Sequence, residues 1–179
     1  MSYYDYMDNI KQEFSNIYDQ YIDKIYRFVF LKVSSQEVAE DLTSDTFLKV
    51  WKVYQNDKNK IQNCQAFLYK IANNSIIDYY RSKGKTKVVS TEDRKIADPK
   101  VNIEKRASLS SDMDNIKIAL VGMNEDYQNV IIWHYLDGVP INDVAQMMDR
   151  SEEATRVLLH RALKSLKDQL NQDNQNRIA

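Results

Sequence analysis

The chain has 179 residues of which 43% are apolar, enough for one medium domain or two small ones, and its three glycines and two prolines are too few for a turn-rich β protein. A net charge of −1 provides no overall basic field, so any nucleic-acid contact has to rest on local patches. A lone Cys64 excludes an internal disulfide or a cysteine metal cluster. With no basic-then-apolar opening segment and no run near the ~20 apolar residues of a membrane span, the expectation is a soluble, cytoplasmic protein without membrane insertion of its own.

In chain order, Phe14, Ile17, Tyr18, Tyr21, Ile22, Ile25, Tyr26, Val29, Phe30 and Val33 keep helical spacing and predict one long amphipathic helix from Phe14 to Val33. Ser34 or Ser35 can cap a second helix that runs to about Tyr54. In it Val38, Leu42, Thr46, Leu48 and Trp51 cannot all share a face with Asp41, Ser44, Asp45 and Lys49, so one side is core and the other polar. The ordinary reading of that polar side is a solvated acidic edge. Tyr54 to Cys64 (YQNDKNKIQNC) is polar and predicts a loop.

A third helix follows, with Phe67, Leu68, Ile71, Ala72, Ile76 and Tyr79 or Tyr80 in register, stopping at Gly84 among Arg81, Lys83 and Lys85. Basic residues at a helix end can simply oppose its dipole; they can also neutralise phosphates beside aromatic faces that stack unpaired bases and amides that read base edges. Lys83 to about Asp112 lacks sustained periodicity and reads as a linker, with a short helix expected within Val101 to Leu109. Fully extended, about 30 residues reach roughly 100 Å.

The C-terminal half opens with DNIKIALVGM and NEDYQNVIIWHYLDG, two further helices, the second closed by Gly138. His134 has no companions at ligand spacing and reads as a packed or surface residue. Then VPINDVAQMMDRSEEATRVLLHRALKSL reads as a helix-turn-helix: Ile141, Val144, Ala145 and Met148 at helical spacing, a break at Asp149-Arg150-Ser151, and a second helix capped by Ser151. Glu152 and Glu153 sit in its first turn, and Ala154 at the third position leaves no capping box. Thr155, Leu158, Leu159, Ala162, Leu163 and Leu166 form its apolar stripe; Arg156, Val157, His160, Arg161 and Lys164 face elsewhere. Asp149 stands where a tight turn commonly wants Gly, although Asp tolerates the left-handed conformation. An antiparallel helix pair without DNA would show the same stripe. The tail NQDNQNRIA is expected to fray.

GVPINDVAQMMDRSEEATRVLLHRALKSLKDQL, preceded by MNEDYQNVIIWHYLDG, resembles the promoter-binding C-terminal region of the extracytoplasmic-function (group 4) sigma factors of the bacterial sigma-70 family. YRFVFLKVSSQEVAEDLTSDTFLKVWK is similar to the helix pair of that family's N-terminal region, and AFLYKIANNSIIDYYR to its segment for the −10 promoter element. The resemblance implies two small all-α domains joined by a flexible linker: 1–84, which docks on core RNA polymerase and reads the −10 element; a linker over 85–112; 113–171, with the helix-turn-helix for the −35 element; and a tail over 172–179. Carried over by position, Asp41, Ser44, Asp45, Leu48 and Lys49 would lie on or near the contact with the clamp-helix coiled coil of the polymerase. Asn74, Lys70, Tyr79, Arg81 and Lys83 would hold the −10 strand, with the loop before Cys64 as pocket for a flipped base. Arg150, Ser151, Glu153, Arg156, Val157, His160 and Arg161 would meet the −35 element.

Three departures stand out: Asn124 replaces a common proline, the linker holds eight Lys/Arg against five Asp/Glu where relatives often carry acidic stretches, and Arg156-Val157-Leu158 replaces a Lys/Ser/Arg cluster. The implied partners are core RNA polymerase, promoter DNA and an anti-sigma protein; no cofactor or metal is expected. The residues offer no nucleophile with a base, no carboxylate pair with a third group and no phosphate-binding Gly loop, so an enzyme is the least supported class. A free-standing helix-turn-helix regulator would need its own dimer surface, and no heptads supply one. A plain helical adaptor stays open if the helix-turn-helix does not touch DNA.

Overall fold

The computed structural model describes residues 3–86, 117–120 and 122–178, and side chains at 5, 7–84, 117–120 and 122–171. It divides into two units, Met1–Asp93 and Arg94–Ala179. The division falls inside the stretch expected to be a linker, which lies, with the short helix expected in it, almost wholly outside the described residues. Those described are helical with no strand, and none of their helices is long and apolar enough to cross a membrane.

The first unit is three mutually packed helices: α1 (Tyr3–Val33), α2 (Gln36–Asp57) and α3 (Cys64–Thr86). α1 starts well before the expected Phe14, because Ile10 continues the apolar stripe and is fully buried, and the Phe14 ring packs 5.0 Å from Trp51 and 5.5 Å from Tyr54. Of the two serines that follow, Ser34 takes a left-handed φ of 56° to end α1, which leaves Ser35 as the cap accepting from Val38 N. The core joins Ile25, Phe28 and Val29 of α1 to Phe47 and Val50 of α2 and Leu68, Tyr69, Ala72 and Ile76 of α3. Each such large side chain contributes roughly 1.5–3 kcal/mol by leaving water.

Two expectations are corrected. The polar run 54–64 is mostly helical: α2 continues to Asp57, a 3₁₀ turn spans Lys58–Lys60, and only 61–63 precede α3. Side-chain caps replace the loop, since Asn59 N donates to Asp57 Oδ1 at 3.2 Å and Ala66 N to Asn63 Oδ1 at 3.0 Å. Gly84 does not stop α3, which runs through it to Thr86; Gly84 has no positive φ and touches nothing that would demand glycine.

In the second unit residues 117–120 are helical, then α4 (Glu125–Val130) winds into a π-helical turn (Ile131–Leu136), followed by α5 (Ile141–Met147) and α6 (Glu152–Ile178). Asn124, at the family's proline position, caps α4 through Tyr127 N at 2.9 Å. Gly138, with φ 70°, closes the π turn as expected, and His134 Nδ1 lies 2.8 Å from Val139 O. Val130, Ile131, Ile132, Trp133, Val139, Val144 and Ala162 form the core. α6 runs to Ile178 and so takes in most of the stretch expected to fray.

α1 is tied to the end of α2 by Glu13, whose carboxylate accepts from Lys58 Nζ at 2.9 and 3.1 Å and from Tyr54 OH at 2.9 Å. The Lys58 hydrogen bonds, then that of Tyr54, hold the Glu13 carboxyl below its ordinary 4.5, and burial with the same contact pushes Tyr54 up to about 12. Because the folded Glu13 value is the lower one, its stabilisation is present above 4.5 and lost as pH falls through the folded value. Glu13→Gln should therefore melt below the wild type at neutral pH, with the gap closing under acid; a gap unchanged in acid would remove the carboxylate as its cause.

Candidate nucleic-acid interface

Three outward helix faces carry the residues singled out by sequence. On α2, Asp41, Ser44, Asp45 and Leu48 are spaced to share one face, and Leu48 is 59% exposed, an unusual place for a leucine. The structure divides the five residues named there. Asp41, Ser44 and Leu48 are exposed, whereas Asp45 pairs with Lys49 at 2.6 Å, and both reach Ser75 of α3, Lys49 Nζ at 3.0 Å and Asp45 Oδ2 at 3.3 Å. Asp45 and Lys49 thus bridge two helices besides facing out.

On α3, Lys70, Asn74 and Arg81 fall within about 40° of one line at about 100° per residue, and all are exposed. Tyr79 and Lys83 lie on the opposite side, where Lys83 Nζ donates to Tyr79 OH at 3.0 Å and sits 5.3 Å over its ring. That hydrogen bond raises the Lys83 pKa. The five residues therefore form two groups. Tyr80, 48% exposed, lies about 80° around the helix from Lys70, and its hydroxyl donates to Lys32 O at 2.8 Å. Beside it Lys32 Nζ donates to Asn73 Oδ1 at 3.0 Å. Sequence spacing left Tyr79 and Tyr80 equivalent and gave no sign of Lys32, which comes from α1. Arg81 pairs with Asp78 at 3.2 Å.

The helix-turn-helix is built as its residues suggest. α5 ends in a Schellman motif: Arg150 N donates to Ala145 O at 2.9 Å, Asp149 N to Gln146 O at 3.2 Å, and Asp149 holds the left-handed position at φ 52°. Ser151 then caps α6, accepting from Ala154 N at 3.2 Å, and Thr155 Oγ1 donates to Ser151 O at 2.9 Å. Ala145, Thr155 and Ala162, all buried, fill the crossing with small side chains.

Glu153, Arg156, Val157 and His160 share the exposed face of α6 with Lys164, and Arg161 lies on its flank. Arg156 pairs with Glu152 at 3.0 Å, and Arg150 pairs with Asp126 of α4 at 2.6 Å. Glu153 has its pKa lowered by its own backbone N–H first and by Ser151 second, the signature of a carboxylate on a helix N-terminus. The Ser151 oxygen accepts in the cap, and its O–H is the group that donates to the Glu153 carboxylate. Among the described residues no cluster of three or more His, Cys, Asp or Glu is placed to hold a metal ion.

Two small helical units, the first with an exposed line of basic and amide groups and the second with a helix-turn-helix whose exposed face is largely basic, define a two-part nucleic-acid-binding factor. Comparison with known proteins is specific. Residues 17–86 match Sigma-70 region 2 and residues 114–166 match Sigma-70, region 4, together about two thirds of the chain. Similar proteins include the ECF RNA polymerase sigma factor BldN of Streptomyces coelicolor, 28% identical over 86% of this chain, and SigM of Bacillus subtilis, 24% identical over 84%. The chain spans 58% of the length of BldN and 91% of that of SigM. In fold it is similar to the sigma factor RpoE of Bartonella quintana, solved with the anti-sigma factor NepR, at a TM-score of 0.74, 23% identity and coverage of 89% and 98% of the two chains. The chain belongs to the extracytoplasmic-function sigma factors of the sigma-70 family.

Asp149 pays a left-handed penalty that glycine would not. Asp149→Gly should raise the stability of the second unit by about 0.5–1 kcal/mol, read as a higher melting midpoint. An unchanged or lower midpoint would show that the aspartate is not strained there.

Proposed function

We propose that this chain binds core RNA polymerase, directs it to promoters with −10 and −35 elements and promotes opening of the −10 region, with no catalytic step of its own. The observation that carries this reading is the presence of both region matches in family order on one chain. A free-standing regulator accounts for the helix-turn-helix but leaves residues 17–86 without a purpose. An anti-sigma protein belongs among the partners, since RpoE and CnrH, both similar in fold, were solved with NepR and with the cytosolic domain of CnrY. Work on polymerase and DNA places the protein in the cytoplasm. Run-off transcription with core polymerase and genomic promoter fragments tests the whole reading, and an absence of specific transcripts would defeat it.

The exposed face of α2 is the polymerase-docking surface. Leu48 supplies an apolar anchor, and Asp41 and Ser44 beside it set register against a basic partner helix. Because Asp45 and Lys49 also brace α3, the test that spares the fold uses the other residues. Asp41→Lys with Leu48→Ala should weaken holoenzyme formation about tenfold or more at unchanged circular dichroism. Binding equal to wild type would remove the assignment.

On α3, Asn74 offers its amide to an unpaired base of the −10 strand, Lys70 and Arg81 lie in line to take phosphates, and Tyr79 and Lys83 meet the strand beyond the helix core. On α6, Arg156 enters the major groove beside Val157, which meets a thymine methyl; Glu153 and His160 extend that face, Ser151 caps the helix at the groove, and Arg150 and Arg161 hold phosphates. A bidentate arginine discriminates bases by ~1–3 kcal/mol, whereas a phosphate contact weakens all sequences alike. Arg156→Ala should therefore relax the −35 consensus recovered from a randomised library. Arg161→Ala should lower affinity at an unchanged consensus with a shallower salt dependence, and the same consensus from Arg156→Ala as from wild type would reject the base-reading role.

A further inference from the structure

Glu13 lies ahead of residues 17–86, outside the matched region, yet its carboxylate accepts from three side chains. Its Oε1 accepts from Lys58 Nζ at 3.1 Å and Asn9 Nδ2 at 3.1 Å, and its Oε2 from Lys58 Nζ at 2.9 Å and Tyr54 OH at 2.9 Å. The Phe14 ring beside it packs on Tyr54 and Trp51, and Ile10, one turn earlier, is wholly buried. What these contacts hold is the short passage between α2 and α3. Its far end is fixed by the Asn63 cap, its middle by buried Ile61, and its start by the Asp57 cap on Asn59 N together with the Lys58 ion pair, the one of these that reaches α1. Between the anchors, Asn59, Lys60 and Gln62 are exposed.

We propose that Glu13 is a positioning residue for promoter opening: through Lys58 and Tyr54 it fixes the 57–63 segment against which an unpaired base of the −10 strand is held. The proposal rests on the reading that this segment meets that strand. A base pocket works only while its walls hold their geometry, and the ion pair lies at the protein surface, 35% exposed at Glu13 and 38% at Lys58, where it orders the segment rather than supplying much stability. The sign of the effect separates positioning from simple charge. Removing an acid near DNA strengthens phosphate attraction, so an electrostatic role predicts better binding and opening in Glu13→Gln, whereas a positioning role predicts worse opening.

The test uses holoenzyme reconstituted from the full chain and core polymerase on the genomic fragment that gives the strongest wild-type run-off. Permanganate reactivity of −10 thymines measures opening. Glu13→Gln and Lys58→Gln should each reduce the open fraction about three- to tenfold at unchanged holoenzyme affinity, and the exchanged pair Glu13→Lys with Lys58→Glu should return it to within about twofold of wild type. Opening at the wild-type level or above in the single variants, or an exchanged pair no better than either, overturns the proposal. So does a defect that vanishes well below the variants' melting temperatures, which would mark it as loss of fold. A triple variant, Asn59→Ala, Lys60→Ala and Gln62→Ala, tests the underlying reading: if it opens DNA normally the segment does not meet the strand and both statements fall, whereas if it is impaired and Glu13→Gln is not, the proposal fails alone.

Discussion

The geometry of both units depends on residues held in the left-handed conformation at the ends of helices. An L-residue avoids that region by roughly 1–2 kcal/mol, so the chain uses it only where a helix must stop and the next must leave at a set angle. Ser34 does this between α1 and α2, Gly138 ahead of α5, and Asp149 between α5 and α6. At Ser34 and Asp149 the next residue or the one after it is a serine that caps the following helix, so each turn consists of a stop and a start with almost nothing between. Only the middle one uses glycine, which is how a chain with three glycines builds two compact helical units.

Once the angles are set, packing decides which residues are left for partners. α2 buries Ala39, Thr43, Thr46, Phe47 and Val50, and the face turned away carries Asp41, Ser44 and Leu48. α6 buries Thr155 and Ala162 and presents Arg156, Val157 and His160. A binding surface on such a helix is the complement of its core stripe, so the same periodicity that predicts the fold also outlines the interface. α3 follows the same rule: it buries Leu68, Tyr69, Ala72 and Ile76 and leaves Lys70, Asn74 and Arg81 outside.

That explains what was legible. Helix class, the caps at Ser35 and Ser151, the stop at Gly138 and the tolerance for Asp149 are local, each set by residues within one turn. The errors lie where a distant segment intervenes. Nothing near Asp45 or Lys49 announces Ser75, nothing near Tyr80 announces Lys32, and Lys58 lies 45 residues from Glu13. The misplaced loop at 54–64 and the missed start of α1 are one error, since polar composition around them hid the isolated apolar residues Ile10 and Ile61, both of which are buried.

The ion pairs bear on why such a chain works within a larger assembly. Of the four arginines on the candidate DNA faces, three already have a carboxylate: Arg81 with Asp78, Arg150 with Asp126 and Arg156 with Glu152. These are exposed pairs worth about 0–1 kcal/mol each, so exchanging a carboxylate for a phosphate is cheap, but it gains less than an unpaired cation would and leaves an acid beside the duplex. Together with a net charge of −1, this keeps the chain's own attraction for arbitrary DNA low. A factor of that design scans poorly alone. On the proposed function, tethering to a DNA-bound partner through the Leu48 face would supply the effective concentration its own charge does not, so that promoter contacts would need to discriminate rather than to hold.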